Sequence, residues 1–303
     1  SLPDLCISSN TTEPALRGRI LAADGTLLVA NAPTIVVTID PRTLLEAEDE
    51  GRSLTEEVAA ELDLPVESLW GRTRLCGTEG APPVPSCFSG SPYQPIPIAY
   101  DVDPVAALAI LERPDHFPGI AVDTRPVRDY PAESINAAHL LGYLGRPTQE
   151  EVSTREGLTA EDLLGRAGLE ATYDSVLRGT SGRTTVTVDP RGVVTGQLDH
   201  SDPVNGNDLV THLDPHVQEE VERILAGTVR ISRAQGWPAE SAAAVVLDVR
   251  TGGVVAAASY PTYDPSIWTT GVTQAQYDEL TSDAAGQPLL NRVTSETFPP
   301  AST

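Results

Sequence analysis

Arg17 to Ala30 reads RGRILAADGTLLVA: two short apolar runs stand on either side of Asp24-Gly25, a dipeptide that supplies the positive φ of a tight hairpin turn. A strand pair is therefore expected there. TIVVTID, Thr34 to Asp40, is rich in β-branched residues and predicts another strand. SLTEEVAAELDL, Ser53 to Leu64, predicts a helix from a Ser or Thr cap, early glutamates and the i, i+4 pair Val58 and Leu62. The prolines of GSPYQPIPIAYDVDP, Gly90 to Pro104, forbid helix and favour extended chain.

Working outward, the segment from Asp103 is expected to run helix (PVAALAILE), turn (FPG), strand (IAVDTRPVRDY) and helix (INAAHLLGYLG). LTAEDLLGRAGLEATYDSVLRGTSG has acidic residues at helix starts and Gly179 and Gly182 at a stop, and RTTVTVDPRGVVTGQL predicts a hairpin around Asp189 to Gly192. Polar and turn residues then cluster at HSDPVNGND, His200 to Asp208, and mark a break. Beyond it, LVTHLDPHVQEEVERIL predicts a strand and then a helix, capped by Asp214 with Pro215 in its first turn. SAAAVVLDVRTGGVVAAASY predicts two long strands around Thr251-Gly252-Gly253, apolar enough for a buried sheet. Strands and helices that segregate in this way give an α+β class rather than regular βαβ alternation. Residues 1–204 and 205–303 are expected to be separate units, the first able to fold alone.

With 303 residues, 40% hydrophobic and 21% charged, the chain has the composition of a soluble globular protein, and no apolar run is long enough to span a bilayer. It begins at Ser1, so any signal peptide or anchor is expected to precede the numbering. The net charge of −23, from 43 acids against 20 bases that are all arginine, argues against nucleic acid or an anionic membrane surface as partner. Of three cysteines, Cys76 and Cys87 flank GTEGAPPVPS, a stretch with little apolar surface to bury, and a disulfide there would hold a loop that packing cannot. The alternative is two free thiols in a reducing compartment; Cys6 is left over. No C-x-x-C or Cys/His pattern suggests zinc, and no metal or cofactor is expected.

Five stretches together resemble a class B penicillin-binding protein, a bacterial cell-wall transpeptidase: RGRILAADGTLLVA, GRAGLEATYDSVLRGTSG, LVTHLDPHVQEEVERIL, AAAVVLDVRTGGVVAAASYPTYDP and LLNRVTSETFPPAST, in the family's order. The resemblance spans almost the whole chain. It implies an elongated N-terminal pedestal, or dimerisation domain, followed from near Asp208 by the start of a penicillin-binding, serine β-lactamase-like transpeptidase domain. Two departures are Ala22-Ala23 before Asp24-Gly25, where the family usually has a charged or polar pair, and Ser266 after Asp264-Pro265, where Asn is common.

In the resemblance Ser302 is the catalytic nucleophile, the first residue of an S-x-x-K motif. A serine hydroxyl is a weak nucleophile at neutral pH, and the lysine one helical turn on is its activating base. The substrate implied is the D-Ala-D-Ala stem peptide of peptidoglycan, with β-lactams as covalent inhibitors and other wall-synthesis proteins docking on the pedestal. The implied location is the extracytoplasmic face of the bacterial membrane, held by an N-terminal transmembrane helix outside this chain. The S-x-N and K-T-G motifs of the family are expected beyond Thr303. Ser8-Ser9-Asn10 and Ser134-Ile135-Asn136 spell S-x-N but precede Ser302. The 303 residues alone are thus expected to be catalytically incomplete. Alternative readings are a non-catalytic interaction module and a β-lactam sensor, against which the long N-terminal segment counts.

Other candidates have structural readings. His212, Asp214 and His216 spell H-x-D-x-H, but Pro215 spoils a shared strand face and Asp214 suits a helix cap. Glu170 and Arg178 suggest an ion pair or cap between the two units. Trp70, Trp237 and Trp268 are expected in core or junction packing rather than on a sugar-binding surface.

Overall fold

Asp24 and Gly25 form the turn: Gly25, without a Cβ, takes φ 89°, and the Asp24 carboxylate accepts the N–H of Thr26 at 2.9 Å. The structure is a computed structural model that describes residues 7–13, 15–82, 87–88, 95–132, 134–155, 158, 162–188, 194–269 and 272–297. Strand β1 is Ile7–Glu13, β2 is Ile20–Leu21 and β3 is Leu27–Ile39. β2 and β3 pair antiparallel, with Ile20 opposite Val29. The thirteen-residue β3 absorbs Thr34 to Ile39, which the sequence suggested as a separate strand. Pro33 does not interrupt it, because Pro33 lies directly opposite Pro126 and neither residue has an N–H to place in the ladder.

Helix α1 (Pro41–Glu46) is followed by α2 (Arg52–Glu61) and α3 (Val66–Thr73). Helix α2 begins after Gly51 at φ 83°, and its capping oxygen comes from Asp49, whose carboxylate accepts the N–H of Ser53 at 2.7 Å and its hydroxyl at 2.6 Å. Ser53 therefore sits in the first turn instead of capping it. Helix α3 was not expected from VESLWGRT, where Gly71 and Thr73 weaken a two-turn pattern; burial of Leu69 holds it. Then come β4 (Ile96–Tyr100), α4 (Pro104–Leu111), capped by Asp103, and β5 (Ile120–Asp129). β3 is the spine: β4 and β5 both pair with it antiparallel. Helices α2, α3 and α4 close over this sheet around Val37, Ile39, Val58, Leu69, Ile98 and Ile110, all buried.

The helix expected over Ile135 to Gly145 is a single turn, α5 (Ala138–Leu141), because Ala137 at φ 43° and Gly142 at φ 82° break the chain on either side. Short strands β6 (Leu144–Gly145) and β7 (Leu164–Gly165) pair around α6 (Gln149–Thr154), whose capping box joins Thr148 to Glu151. Two single turns follow, α7 (Gly168–Thr172) and α8 (Asp174–Leu177). β8 (Gly182–Val188) and β9 (Val194–Ser201) form the expected hairpin, with β1 on the other side of β8; its turn lies outside the described residues.

The break after His200 is crossed by sheet pairing. β10 (Leu209–Val210) runs parallel to β2, with Leu209 opposite Ile20. The long α9 (Pro215–Ala234) then packs on a hairpin of β11 (Ala242–Leu247) and β12 (Val254–Tyr260), and α10 is Gln274–Thr281. Asp214 caps α9 by accepting the N–H groups of His216 at 2.9 Å and Val217 at 3.2 Å. Ala256 to Ser259 of β12 are buried as expected, while within residues 1–303 β11 alternates half-buried and exposed residues. Among the described residues, the helix covers one side of this hairpin.

Candidate functional site

Ser302 lies outside the described residues, with the rest of Phe298 to Thr303. The structure describes the chain up to Thr297 and the groups that hold its approach. Gly286 at φ 75° and Gln287 at φ 49° turn it away from α10, and Arg292 folds the loop around itself. The buried Arg292 guanidinium donates to the carbonyls of Gly286 at 2.7 Å, Gln287 at 3.2 Å and Leu290 at 3.4 Å. Its backbone N–H donates to the Ser259 hydroxyl on β12 at 3.1 Å, fixing the loop to the sheet.

A residue far earlier in the chain reaches the same loop. His139, on α5 and buried, places Nε2 2.6 Å from the carbonyl of Pro288, and the Asn291 amide donates to the His139 carbonyl at 3.2 Å. A carbonyl only accepts, so Nε2 carries the proton. Burial lowers the His139 pKa, against the opposing effect of the Pro288 hydrogen bond, and the nearby Arg292 charge lowers it further, which favours the neutral ring. Tyr263 meets that ring edge to face at 5.3 Å, and burial raises the pKa of its phenol.

Next to it, the Glu222 carboxylate on α9 accepts the backbone N–H groups of Asn136 at 2.9 Å and Ala137 at 2.7 Å, together with the Gln218 amide at 2.7 Å. This satisfies the donors that the left-handed Ala137 leaves exposed before α5. Gln218, fully buried, also pairs with both backbone groups of Ala257 on β12, donating at 3.0 Å and accepting at 2.8 Å. Asn136 donates to the Tyr263 carbonyl at 2.7 Å and accepts the Thr262 hydroxyl at 2.6 Å. The Ser134-Ile135-Asn136 match is thereby committed to the junction. A cavity of about 190 Å³ between α5, α9 and β12 is lined chiefly by Ala137, Leu225, Ala226, Ala257 and Ala258, with Glu222 at its edge.

Glu170 has different partners from those expected. It is fully buried and takes Arg17 Nε at 2.6 Å and Arg128 Nη2 at 2.7 Å, while Arg178 lies 3.7 Å from Asp174. All these residues lie between positions 17 and 178 of the chain. The helical spacing from Glu170 to Arg178 fails because the chain bends at Tyr173, between α7 and α8. Burial lowers the Arg128 pKa, and the Glu170 charge opposes that shift.

The Cα atoms of Cys76 and Cys87 stand 5.1 Å apart, within the span of a disulfide. Cys76 N–H donates to Phe88 carbonyl at 2.9 Å and Phe88 N–H to Arg74 carbonyl at 2.8 Å, which seats Phe88 in the apolar core. Cys6 lies outside the described residues. Trp70 has Arg52 and Arg74 each within 5.3 Å of its ring, and Trp268 stacks on Tyr143 at 3.9 Å, whereas Trp237 is exposed. Sequence reasoning missed His139, Gln218, Glu222 and Arg292, because no local pattern marks a side chain whose partner lies on another element.

Residues 12–211 match the family model of the penicillin-binding protein dimerisation domain, and residues 242–303 match that of the penicillin-binding protein transpeptidase domain. The chain is 33% identical over 217 residues to peptidoglycan D,D-transpeptidase MrdA of Escherichia coli (strain K12), covering 70% of this chain and 32% of that protein. With MrdA of Salmonella typhimurium (strain LT2) it is 27% identical over 293 residues, covering 95% of this chain and 42% of the relative. It thus spans about a third to two fifths of the length of these relatives. Its fold is similar to that in the complex between penicillin-binding protein PBP2 and MreC from Helicobacter pylori, with a TM-score of 0.67 and 20% identity, over 94% of this chain and 48% of that one.

Proposed function

The chain belongs to the penicillin-binding proteins, and we propose that the protein it is part of is a serine-type D,D-transpeptidase that crosslinks peptidoglycan through Ser302. The observation that carries this reading is the match of residues 242–303 to the transpeptidase domain, which ends on FPPAST. Ser302 Oγ attacks the carbonyl between the two D-Ala residues of a stem peptide; the ester forms as the terminal D-Ala leaves, and an acceptor amine then takes the acyl group. A β-lactam opens on the same oxygen and has no leaving group to depart. The activating lysine and the S-x-N and K-T-G motifs belong to chain beyond Thr303, so residues 1–303 alone lack the base, and loss of such a partner costs several orders of magnitude in rate.

In this reading residues 1–204 are the pedestal and residues 205–303 the opening of the transpeptidase domain. The protein works at the extracytoplasmic face of the membrane, anchored by a segment preceding Ser1; among the described residues no helix is long and apolar enough to cross a membrane. The pedestal docks other wall-synthesis proteins. Supporting this are the PBP2 relative's complex with MreC and the exposed Val105, Leu108 and Leu111 on α4. The test is fluorescent penicillin. The 303-residue chain should not label, the longer protein should label at the peptide containing Ser302, and Ser302→Ala should abolish that labelling. Persistent labelling in Ser302→Ala, or none in the longer protein, overturns the assignment.

A further inference from the structure

The loop from Gly286 to Arg292 combines backbone strain with ties to two units. Gln287 holds φ 49°, a conformation that costs a residue with a side chain of order 1 kcal/mol and persists only where its surroundings over-determine it. Arg292 supplies part of that constraint from within the loop, and the rest comes from outside. Across the unit junction the His139 N–H grips the Pro288 carbonyl at 2.6 Å, and the Asn291 amide returns a bond to the His139 carbonyl. His139 is itself immobilised: Tyr263 packs on its ring, and Glu222 of α9 binds the two N–H groups immediately before α5. Arg292, which directly follows Asn291, is ten positions before Ser302 and is pinned to β12 through Ser259.

We infer that His139, a residue of the N-terminal unit, is a positioning residue for the serine chemistry: its imidazole N–H holds the Gln287 to Arg292 loop in the conformation that delivers the following chain to its catalytic place. The inference rests on the reading of Ser302 as nucleophile. His139 acts through the loop it holds, so its effect should fall on the acylation step and not on the binding of the acyl donor. Displacements of about 1 Å caused by remote substitutions reduce rates by as much as a hundredfold.

The experiment uses the longer protein and measures the acylation rate constant and the non-covalent dissociation constant separately, by stopped-flow with a fluorescent penicillin. His139→Phe keeps the ring volume and the Tyr263 contact but removes the donor; it should slow acylation by about tenfold while the dissociation constant stays within about twofold. His139→Gln carries an N–H to a similar position and should restore the rate to within about threefold of the parent. If His139→Phe lowers only the melting temperature or the fraction of protein that labels, with the rate constant of the labelled fraction unchanged, the role is structural and the inference falls. If His139→Gln is as slow as His139→Phe, the donor is not the operative group and the inference falls as well. Failure of the unsubstituted longer protein to label at Ser302 would instead overturn the functional reading on which the inference stands.

Discussion

Two apolar strand systems in this chain reach opposite ends. In the N-terminal unit β3 is flanked by β4 and β5 and covered by α2, α3 and α4, and Val36, Val37 and Ile39 have no exposed surface. Towards the C-terminus β11 is equally apolar, yet Val245 and Leu247 are 46% and 55% exposed, because among the described residues α9 covers one side of the two-stranded hairpin. A strand's composition sets which residues favour burial; the number of layers around it sets which are buried. The same contrast holds for charge. Glu170 lies at zero exposure between Arg17 and Arg128, whereas the Arg19–Asp208 pair beside β10 is largely in water. There the Arg19 hydrogen bonds lower the Asp208 pKa, but solvent screening leaves such a pair little to contribute.

The largest expected effect tests the closed region. Glu170→Ala leaves the buried Arg128 guanidinium without its counterion, while Arg17 keeps Asp174 at 2.8 Å, and should destabilise the fold by about 3–5 kcal/mol in chemical denaturation. A loss below about 1 kcal/mol would mean that water reaches the cluster, and the contrast with Arg19–Asp208 would collapse.

An intermediate effect concerns the loop between Cys76 and Cys87. We propose that the Cys76–Cys87 bond forms in the folded protein, where it closes a loop of sequence separation 11 and seats Phe88. The double substitution to serine should cost about 2–3 kcal/mol. Alkylation without reductant, followed by mass spectrometry, gives the direct answer, since two free thiols in folded protein would refute the pairing.

The smallest effect belongs to the open face. Leu247→Ala on β11 should change the stability of the 303-residue chain by no more than about 0.5 kcal/mol, as for other exposed positions. A loss of about 2 kcal/mol or more, the size expected for a buried leucine, would show that this face is covered in solution.

Much of the local architecture was legible in the sequence. Asp24-Gly25 specifies a hairpin, Asp103 and Asp214 followed by proline specify helix starts, and the runs that became β4, β5, β11 and β12 announce themselves by apolar or proline-punctuated pattern. Other elements were hidden. Helices α3 and α6 are two turns or fewer, too short for a period to register, and α5 was overestimated because its flanking left-handed residues, Ala137 and Gly142, follow from contacts made elsewhere. Of the candidate site, the sequence singled out Ser302 through resemblance, but not the residues that hold the chain leading to it.

The sequence by itself determined the longer elements, the caps at Asp103 and Asp214, the α+β class and the family, because each depends on residues within a few positions of one another or on motifs in a given order. Only the tertiary structure decided that Glu170 pairs with Arg17 and Arg128, 153 and 42 residues away, and that Glu222 binds the backbone at Asn136 and Ala137. It also decided that His139 grips Pro288, at a separation of 149 residues. Burying a polar group is costly without a partner, so these partners had to be present, but which segment supplies them is set by how the layers pack and leaves no mark in the local pattern.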